Sequence, residues 1–293
     1  MNLNEAFEYY KKFVLQKPKQ ISTEVGRWDI HIAPVLGAAA LEEIKNLQIM
    51  QLRNCLESKK LSPQTVSHCL SLVRRVLHRA VEWELYPGPV PVFRMPKFDN
   101  RRLRFLSAGE ANLLLQTLHN QSELWHDVVL FALNTGLRAG EIYSLQPFHV
   151  DFQHKIAKVV DTKNSLSRIV PLNEEAMSVV QKYFRMNSSS YLLSQAQTRY
   201  YVFHDAVKKC RFNYGVTDRR EKVCFHTLRH TFASWLVQNG TPLALVSGLL
   251  GHKDIRMTMR YAHLAPEQGQ LAVSSLPYLR VSPSCQERKP MVA

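Results

Sequence analysis

A run of prolines divides this chain of 293 residues into two parts. The segment YPGPVPVFRMPKFDNRRLRFLS contains Pro87, Pro89, Pro91 and Pro96. Each proline removes a backbone donor and its ring clashes with the preceding helical turn, so this spacing excludes a regular helix. Lysine and arginine side chains also accumulate here, and like charges keep a segment extended. We therefore predict a basic linker over residues 87–106, between two separately folded regions.

The part before the linker, residues 1–86, has the pattern of a small helical domain. Ser62 followed by Pro63 predicts a helix start, because serine caps the first turn and proline is tolerated at the first helical position. Apolar residues then recur at helical spacing on one face. They are Val66, Leu70, Val73, Leu77 and Val81. This pattern predicts that one face of the helix packs into a core.

The part after the linker, residues 107–268, is predicted to be mostly helical with one small antiparallel sheet. Ser107 and Glu110 have the spacing of a capping box, and Gly136 ends an apolar helical run. Between about residues 150 and 172 the sequence changes to the short β-rich runs HVDF, IAKVV and RIVPL. Residues 269–293 follow as a tail that can begin with a short helix. The predicted fold class is mainly α, with a helical first domain and a mixed α/β second domain.

The charge balance favours a polyanionic partner. The 38 Lys and Arg residues against 24 Asp and Glu residues leave a net charge of +14. Nucleic acid is the first candidate and an anionic membrane surface the second. No apolar stretch approaches the ~20 residues that a membrane span requires, and the N-terminus lacks the pattern of a secretory signal. We therefore expect an intracellular protein without a membrane partner.

Seven arginines are candidates for contacts with nucleic-acid phosphates. Three lie on the first-domain helix, on the face opposite its apolar stripe and without interleaved acids, and four lie in the linker. A solvated charged surface is the ordinary explanation of such residues, whereas a phosphate-facing surface would explain the missing acids. The candidates are Arg74, Arg75, Arg79, Arg94, Arg101, Arg102 and Arg104.

The hexapeptide FHTLRH, residues 225–230, allows two kinds of site. His226 and His230 have the i, i+4 spacing of a helical zinc site, whereas His226 and Arg229 have the i, i+3 spacing of two donors to one anion. Zinc is disfavoured, because no second close-spaced ligand pair follows and Arg229 would oppose a dication in the same turn. We expect no metal and no cofactor. His230 is assigned to packing, with one ring nitrogen bonded to a backbone group.

Four motifs in order resemble the signature of the tyrosine recombinases, also called the phage integrase family. They are TGLRAGEIYSL, TKNSLSRIVPL, HTLRHTFASWLVQNG and LLGHKDIRMTMRYAHL. The resemblance covers the whole second domain, and it implies a tyrosine recombinase catalytic fold there. The first domain resembles the family's helical core-binding domain in pattern only.

The resemblance implies a role for each signature position. Arg138 matches the first signature arginine, and Glu141, one turn later, matches the acidic residue that orients it. Lys163, in the predicted β-turn, matches the lysine that protonates the leaving 5′ oxygen. His226 and Arg229 match the HxxR pair of the family.

The last two signature positions are His252 and Tyr261, and Tyr261 matches the nucleophile. A phenol titrates near ~10, so attack at neutral pH requires nearby cations and a proton acceptor. Arg138, Arg229 and His226 are expected to supply them. The phosphotyrosine ester would store the energy of the broken phosphodiester, so that strands are rejoined without ATP or a metal.

The resemblance implies a site-specific DNA recombinase, but it leaves its biological role open. HTFASWLVQNG and MTMRYAHLAPE are more like prophage integrases, whereas the two-domain plan is similar to the Xer chromosome-dimer resolvases. A third hypothesis is a DNA-binding protein of the same fold without catalysis. An arm-site domain before the core-binding domain is expected to be absent. We expect a cytoplasmic, nucleoid-associated protein.

The expected partners are double-stranded recombination sites, further copies of the chain and accessory proteins. The family implies a homotetramer on DNA, with accessory directionality factors or host DNA-bending proteins. The apolar part of the tail is the candidate for a segment exchanged between protomers, through Leu271 and Val273.

Overall fold

The computed structural model describes residues 1–99, 104–161, 166–186, 193–266 and 273–274. By its internal contacts, the chain divides into two compact units, Met1–Asn100 and Arg101–Ala293, and this division falls inside the segment predicted as a linker. Four residues named from the sequence lie outside the described residues: Arg101, Arg102, Lys163 and Leu271. Val273, the other candidate in the tail, is 68% exposed.

The first unit is helical, as its sequence pattern predicts. Its helices are α1 (Leu3–Val14), α2 (Pro18–Arg27), a π-helix (Trp28–Gly37), a 3-10 turn (Leu41–Glu43), α3 (Asn46–Ser58) and α4 (Pro63–Glu82). Ser62 caps α4 by accepting a hydrogen bond from the Thr65 amide, and Pro63 occupies the first turn, as expected. The core also contains a close aromatic stack of Phe7 on Trp28, with ring centroids 3.9 Å apart.

The proline-rich segment between residues 87 and 99 contains neither helix nor strand. Part of this segment lies on the first unit, because Val90, Phe93 and Met95 pack against that unit's buried core. The Val92 amide donates to Asn46 Oδ1 at 2.8 Å, which fixes the segment beside the start of α3.

The second unit consists of eight α-helices and a small sheet within its described residues. The helices are α5 (Ala108–His119), α6 (Glu123–Thr135), α7 (Ala139–Tyr143), α8 (Glu174–Met186), α9 (Gln195–Thr198), α10 (Tyr201–Lys209), α11 (Phe225–Gln238) and α12 (Leu243–Leu250). The predicted capping box of Ser107 and Glu110 begins α5. Gly136 ends α6 with φ +63°, a left-handed conformation that glycine adopts without steric cost.

Three antiparallel strands form the sheet in the order β1 (Val150–Asp151), β2 (Ile156–Asp161) and β3 (Leu166–Pro171). This confirms the predicted fold class. In the register of β2 and β3, Ala157 pairs with Val170 and Val159 with Arg168. Ala157, Val159 and Val170 are buried in the core of the unit, so Arg168 alternates with apolar residues on the inward face.

Two 3-10 turns, Ile255–Met257 and Met259–Leu264, follow α12. A small cluster of buried side chains from α11, α12 and the second turn holds Tyr261. Across the described residues, every helix is either too short or too polar to span a bilayer.

Candidate active site

Arg138 stands at the N-terminus of α7, directly after the left-handed turn that ends α6. Its guanidinium Nη1 donates to Glu141 Oε1 at 2.8 Å, and its own amide donates to Glu141 Oε2 at 2.8 Å. The Arg138 side chain keeps 37% of its surface exposed. A fixed but accessible guanidinium is suited to bind an anion from solution.

The Glu141 carboxylate is a buried junction between two arginines. Its side chain is only 10% exposed, and it also accepts from Arg168 Nη1 and Nη2 at 3.0 and 2.8 Å. Burial acts to raise the pKa of the Glu141 carboxyl, but the hydrogen bonds from Arg168 and Arg138 outweigh it and hold the pKa below its usual value. Glu141 is therefore ionised at neutral pH.

Arg168 is a member of this cluster that the sequence patterns did not single out. Besides its two bonds to Glu141, its Nε donates to the Leu249 carbonyl at 3.0 Å. It thereby joins β3 to the start of α7 and to the end of α12. The available signal was an arginine at an inward position of a strand, two residues before the buried Val170. Such a residue requires a buried partner.

Arg229 is the fifth residue of α11 and is 4% exposed. Its Nη1 donates to the Gly136 carbonyl at 2.8 Å and its Nη2 to the Leu250 carbonyl at 2.5 Å. Burial, with repulsion from Arg138, lowers the pKa of Arg229 to about 9, which still leaves it charged at neutral pH. A buried cation whose hydrogen bonds go to neutral carbonyls is stabilised when an anion binds beside it.

His226 is exposed on α11 and lines one surface depression together with Arg138 and Arg229. Tyr200 and Cys224 lie on the rim of the same depression. The structure thus brings three of the predicted signature residues to one place. The i, i+3 spacing of His226 and Arg229 puts both donors on the same side of the helix, as expected.

His252 follows Gly251, a left-handed residue that ends α12. Its Nδ1 is hydrogen-bonded to Thr258 Oγ1 at 2.8 Å. Burial and the nearby Arg229 and Arg138 lower the pKa of His252 to about 4. At neutral pH the imidazole is therefore uncharged, and it can act near an anion only as a neutral donor.

Tyr261 is 5% exposed and its hydroxyl pairs with His230. The Tyr261 Oη and His230 Nδ1 atoms are 2.5 Å apart. Burial raises the pKa of Tyr261 to about 12, although Arg260 and Arg229 act in the opposite direction. His230 is buried, as expected, and its Nδ1 contacts the tyrosine hydroxyl.

The candidate DNA-binding arginines differ in their environment. Arg74 is exposed on α4. Arg75 binds Glu24 at 2.8 Å and the Tyr10 hydroxyl at 3.0 Å, and Arg79 binds Glu82 at 2.5 Å. No acid lies between these arginines in the sequence, but folding brings Glu24 from α2 to Arg75, and Glu82 at the end of α4 pairs with Arg79. Two linker candidates, Arg94 and Arg104, are described below.

Arg94 is exposed, and its carbonyl accepts a hydrogen bond from Arg53. Arg104 instead binds Glu110, with Nη1 3.0 Å from Oε2 and a second, shorter contact from Nη2. Glu110 also accepts from the Ser107 amide, so Arg104 stabilises the start of α5. In the part of the chain that the structure describes, no three or more His, Cys, Asp or Glu side chains are grouped as metal ligands.

Fold and site together show a surface depression lined by two arginines and a histidine, in the same unit as a buried tyrosine. Residues 104–268 match the phage integrase family, which is more than half of the chain. The chain therefore belongs to the phage integrase family.

Two curated relatives are similar to this chain in sequence, and one solved structure is similar in fold. The integrase of Salmonella phage P22 is 32% identical over 67% of this chain and 53% of its own length. The shufflon-specific DNA recombinase of Escherichia coli is 27% identical over 90% of this chain and 69% of its own length. The chain thus spans about half of the phage relative. A Tn1549 transposon integrase in complex with circular intermediate DNA has a similar fold, with a TM-score of 0.74, 17% identity, and coverage of 94% of this chain and 100% of that one.

Proposed function

We propose that the chain is a site-specific DNA recombinase that cuts and rejoins strands through a 3′-phosphotyrosine on Tyr261, and so integrates or excises a mobile element. The observation that carries this proposal is the depression that Arg138, His226 and Arg229 share. These three side chains can supply positive charge and hydrogen-bond donors to the nonbridging oxygens of one phosphodiester. Family membership supports the same chemistry.

Two arginines are proposed to hold the nonbridging oxygens of the scissile phosphate. Arg138 offers an accessible guanidinium that Glu141 and the α7 start hold in place. Arg229 also lines this depression and adds a buried positive charge. Charge on these oxygens grows as phosphorus becomes five-coordinate, and preorganised cations stabilise that state more than the ground state.

His226 and His252 are proposed to donate hydrogen bonds to the same phosphate. His252 does so as a neutral imidazole, because its pKa is lowered to about 4. Lys163, which the resemblance places beside the leaving group, is proposed to protonate the 5′ oxygen. Tyr261 then remains bonded to the 3′ phosphate until another 5′ hydroxyl displaces it.

Double-stranded DNA is the proposed partner, and the net charge of +14 supports a backbone contribution to binding. Arg74 and Arg94 are exposed in the first unit and are the best placed of the described candidates to contact phosphates. Arg101 and Arg102 remain candidates from the sequence. A homotetramer on two sites, assisted by accessory DNA-bending or directionality proteins, is the proposed working form.

The test is covalent capture on a nicked suicide substrate that carries the recombination site. We expect a denaturant-stable adduct between protein and DNA, which Tyr261→Phe abolishes while DNA binding persists. Tyr201→Phe is the matched control, because Tyr201 is 69% exposed on α10 and away from the cluster around Tyr261. It should form the adduct at the normal rate.

The same experiment separates the alternative functions. Binding to the correct site without any adduct would leave a DNA-binding protein that has lost catalysis. An adduct that forms on chromosome-dimer resolution sites, and not on the ends of a mobile element, would assign a Xer-type role. Addition of EDTA should leave the adduct yield unchanged.

A further inference from the structure

The hydroxyl of Tyr261 is bonded to a histidine that lies outside the family's signature. His230 is 4% exposed and Tyr261 5% exposed, so water cannot readily take the phenolic proton in this arrangement. The Nδ1 to Oη distance of 2.5 Å is at the short end for a hydrogen bond. Most buried hydroxyls have a hydrogen-bond partner, so this contact alone would also fit a purely structural role.

If Tyr261 is the nucleophile, a purely structural role of His230 does not explain how the phenol loses its proton. Burial raises the pKa of Tyr261 to about 12, so this phenol is a weaker acid than an exposed tyrosine. A nucleophile of this kind requires a base within hydrogen-bond distance when it attacks. His230 Nδ1 meets this geometric requirement.

The other two histidines of the site are less suited to be that base. His226, which the sequence offered as the proton acceptor, is exposed and lines the depression with Arg138 and Arg229, which is instead the position of a phosphate donor. His252 has its Nδ1 bonded to Thr258, and arginines around it disfavour the uptake of a proton. The ring of His230 lies 4.8 Å from the ring of His226, at an interplanar angle of 87°. His230 thus lies between the nucleophile and the phosphate-binding side of α11.

We propose that His230 is a catalytic residue that accepts the phenolic proton of Tyr261 during strand cleavage and returns it during rejoining. This rests on the proposed function of Tyr261 as the nucleophile. As the bond from Oη to phosphorus forms, the proton moves to His230 Nδ1, and the bond from phosphorus to the 5′ oxygen breaks. The leaving 5′ oxygen takes its proton from Lys163, the proposed acid. Each strand cleavage therefore involves two proton transfers, one from Tyr261 to His230 and one from Lys163 to the 5′ oxygen. Rejoining reverses both transfers.

The first test compares single-turnover adduct formation on the suicide substrate for the wild-type protein, His230→Asn and His230→Gln. The asparagine amide can occupy the place of Nδ1 and keep a hydrogen bond to Tyr261, but it cannot take a proton. We expect both variants to bind DNA with normal affinity and to cleave it about 10²- to 10⁴-fold more slowly, which is the usual contribution of a general base. His263→Gln is the matched control, because His263 is exposed two residues from Tyr261. It should cleave at the wild-type rate.

A second measurement separates proton transfer from positioning. A more acidic phenol, 3,5-difluorotyrosine, is placed at position 261 in the wild-type protein and in His230→Asn. If His230 removes the proton, the ratio of the wild-type to the variant rate should shrink at least tenfold, because the fluorinated phenol ionises without help. An unchanged ratio would mean that His230 only positions Tyr261, and the proposal would fail.

A third measurement requires no variant. The ¹⁵N chemical shifts of His230 in the wild-type protein report which ring nitrogen carries the proton. We expect Nδ1 without a proton and Nε2 with one, since only this tautomer can accept from Oη. A proton on Nδ1 at neutral pH would overturn the proposal even if both variants failed to fold. A wild-type protein that forms no adduct would instead contradict the proposed function itself.

Discussion

Arg229 and Arg138 are charged side chains with opposite relations to solvent. Arg229 is 4% exposed and bonded to two carbonyls, whereas the Arg138 side chain is 37% exposed and held by Glu141. Replacing Arg229 therefore removes a proposed phosphate donor together with the hydrogen bonds that join the ends of α6 and α12. Replacing Arg138 removes the other proposed donor, and we expect the fold to stay intact.

This difference predicts separate outcomes for two conservative variants. Arg138→Lys should cleave the suicide substrate about 10²- to 10³-fold more slowly, because a lysine loses the fixed, forked donor geometry. Its free energy of unfolding should stay close to the wild-type value. Arg229→Lys should show the same rate loss and also a lower free energy of unfolding, by about 1–3 kcal/mol, because one carbonyl loses its donor. Equal unfolding energies for the two variants would contradict the geometry described for Arg229.

Glu141 predicts a pH dependence of stability. Its folded pKa lies below the unfolded value because Arg168 and Arg138 stabilise the carboxylate against the opposing effect of burial. Its stabilising contribution is therefore complete above the usual glutamate pKa and is lost as the pH falls through the lower folded pKa. The free energy of unfolding of Glu141→Gln should be below that of the wild type at pH 7, by about 1.5–3 kcal/mol. The difference should narrow on acidification below about pH 4. Urea titrations at several pH values measure it, and a difference that grows at low pH would contradict the assignment.

The residue scale also shows what the sequence could and could not predict. The resemblance of four motifs in family order singled out Arg138, His226 and Arg229, and the structure brings all three to one depression. The pair of His230 and Tyr261 was missed, because 31 positions separate the two and no local pattern reports a contact across elements. Arg168 was missed for the same reason, since Glu141 lies 27 positions away on another element.

At the scale of elements, the end of α12 lies against β3, and Gly251 allows this close approach. Gly251 has φ +65°, and a Cβ added there would lie 2.8 Å from Arg168 Cδ. The residue thus permits both the turn that ends α12 and the close passage of Arg168 to Leu249. The sequence predicted helix and sheet content here from alternation and caps. It could not predict this crossing, because the crossing depends on tertiary packing.

Gly251→Ala should therefore lower the free energy of unfolding by more than an ordinary alanine substitution at a left-handed glycine does. Gly215→Ala is the matched control, because Gly215 has φ +72° but nothing within 4 Å of an added Cβ. The control should lower the free energy of unfolding by about 1–2 kcal/mol through backbone strain alone. Gly251→Ala should lose at least about 1 kcal/mol more through crowding, and it should also slow cleavage, since Arg168 and His252 must shift. Thermal denaturation and adduct kinetics of both variants provide the check, and equal losses would contradict the close approach.

At the scale of the whole molecule, the arginines differ in whether a nearby acid neutralises their charge. Arg74 is exposed on α4, whereas Arg104 forms an ion pair with Glu110 at the start of α5. Net charge and composition predicted a polyanion-binding protein, but they could not say which arginines are neutralised. That depends on acids brought in by folding, such as Glu24 beside Arg75.

The salt dependence of DNA binding should distinguish these two arginines. Each phosphate contact contributes about 0.9 to the slope of log affinity against log salt on duplex DNA. Arg74→Gln should reduce the slope by about that amount. Arg104→Gln should leave the slope unchanged and lower the thermal stability of the second unit. Fluorescence anisotropy over a range of salt concentrations measures the slopes, and a loss of slope in Arg104→Gln alone would reverse the assignment.

The central claim is that Tyr261 becomes covalently bonded to a DNA 3′ phosphate. Trypsin cleavage after Arg260 releases a peptide that runs from Tyr261 to Arg280 and also contains Tyr278, which serves as an internal control. After capture on the suicide substrate and nuclease digestion, fragmentation mass spectrometry locates the nucleotide remnant within this peptide. We predict the remnant on Tyr261 and an unmodified Tyr278. A remnant on Tyr278 or on any other residue, or the same adduct yield from Tyr261→Phe, would contradict it.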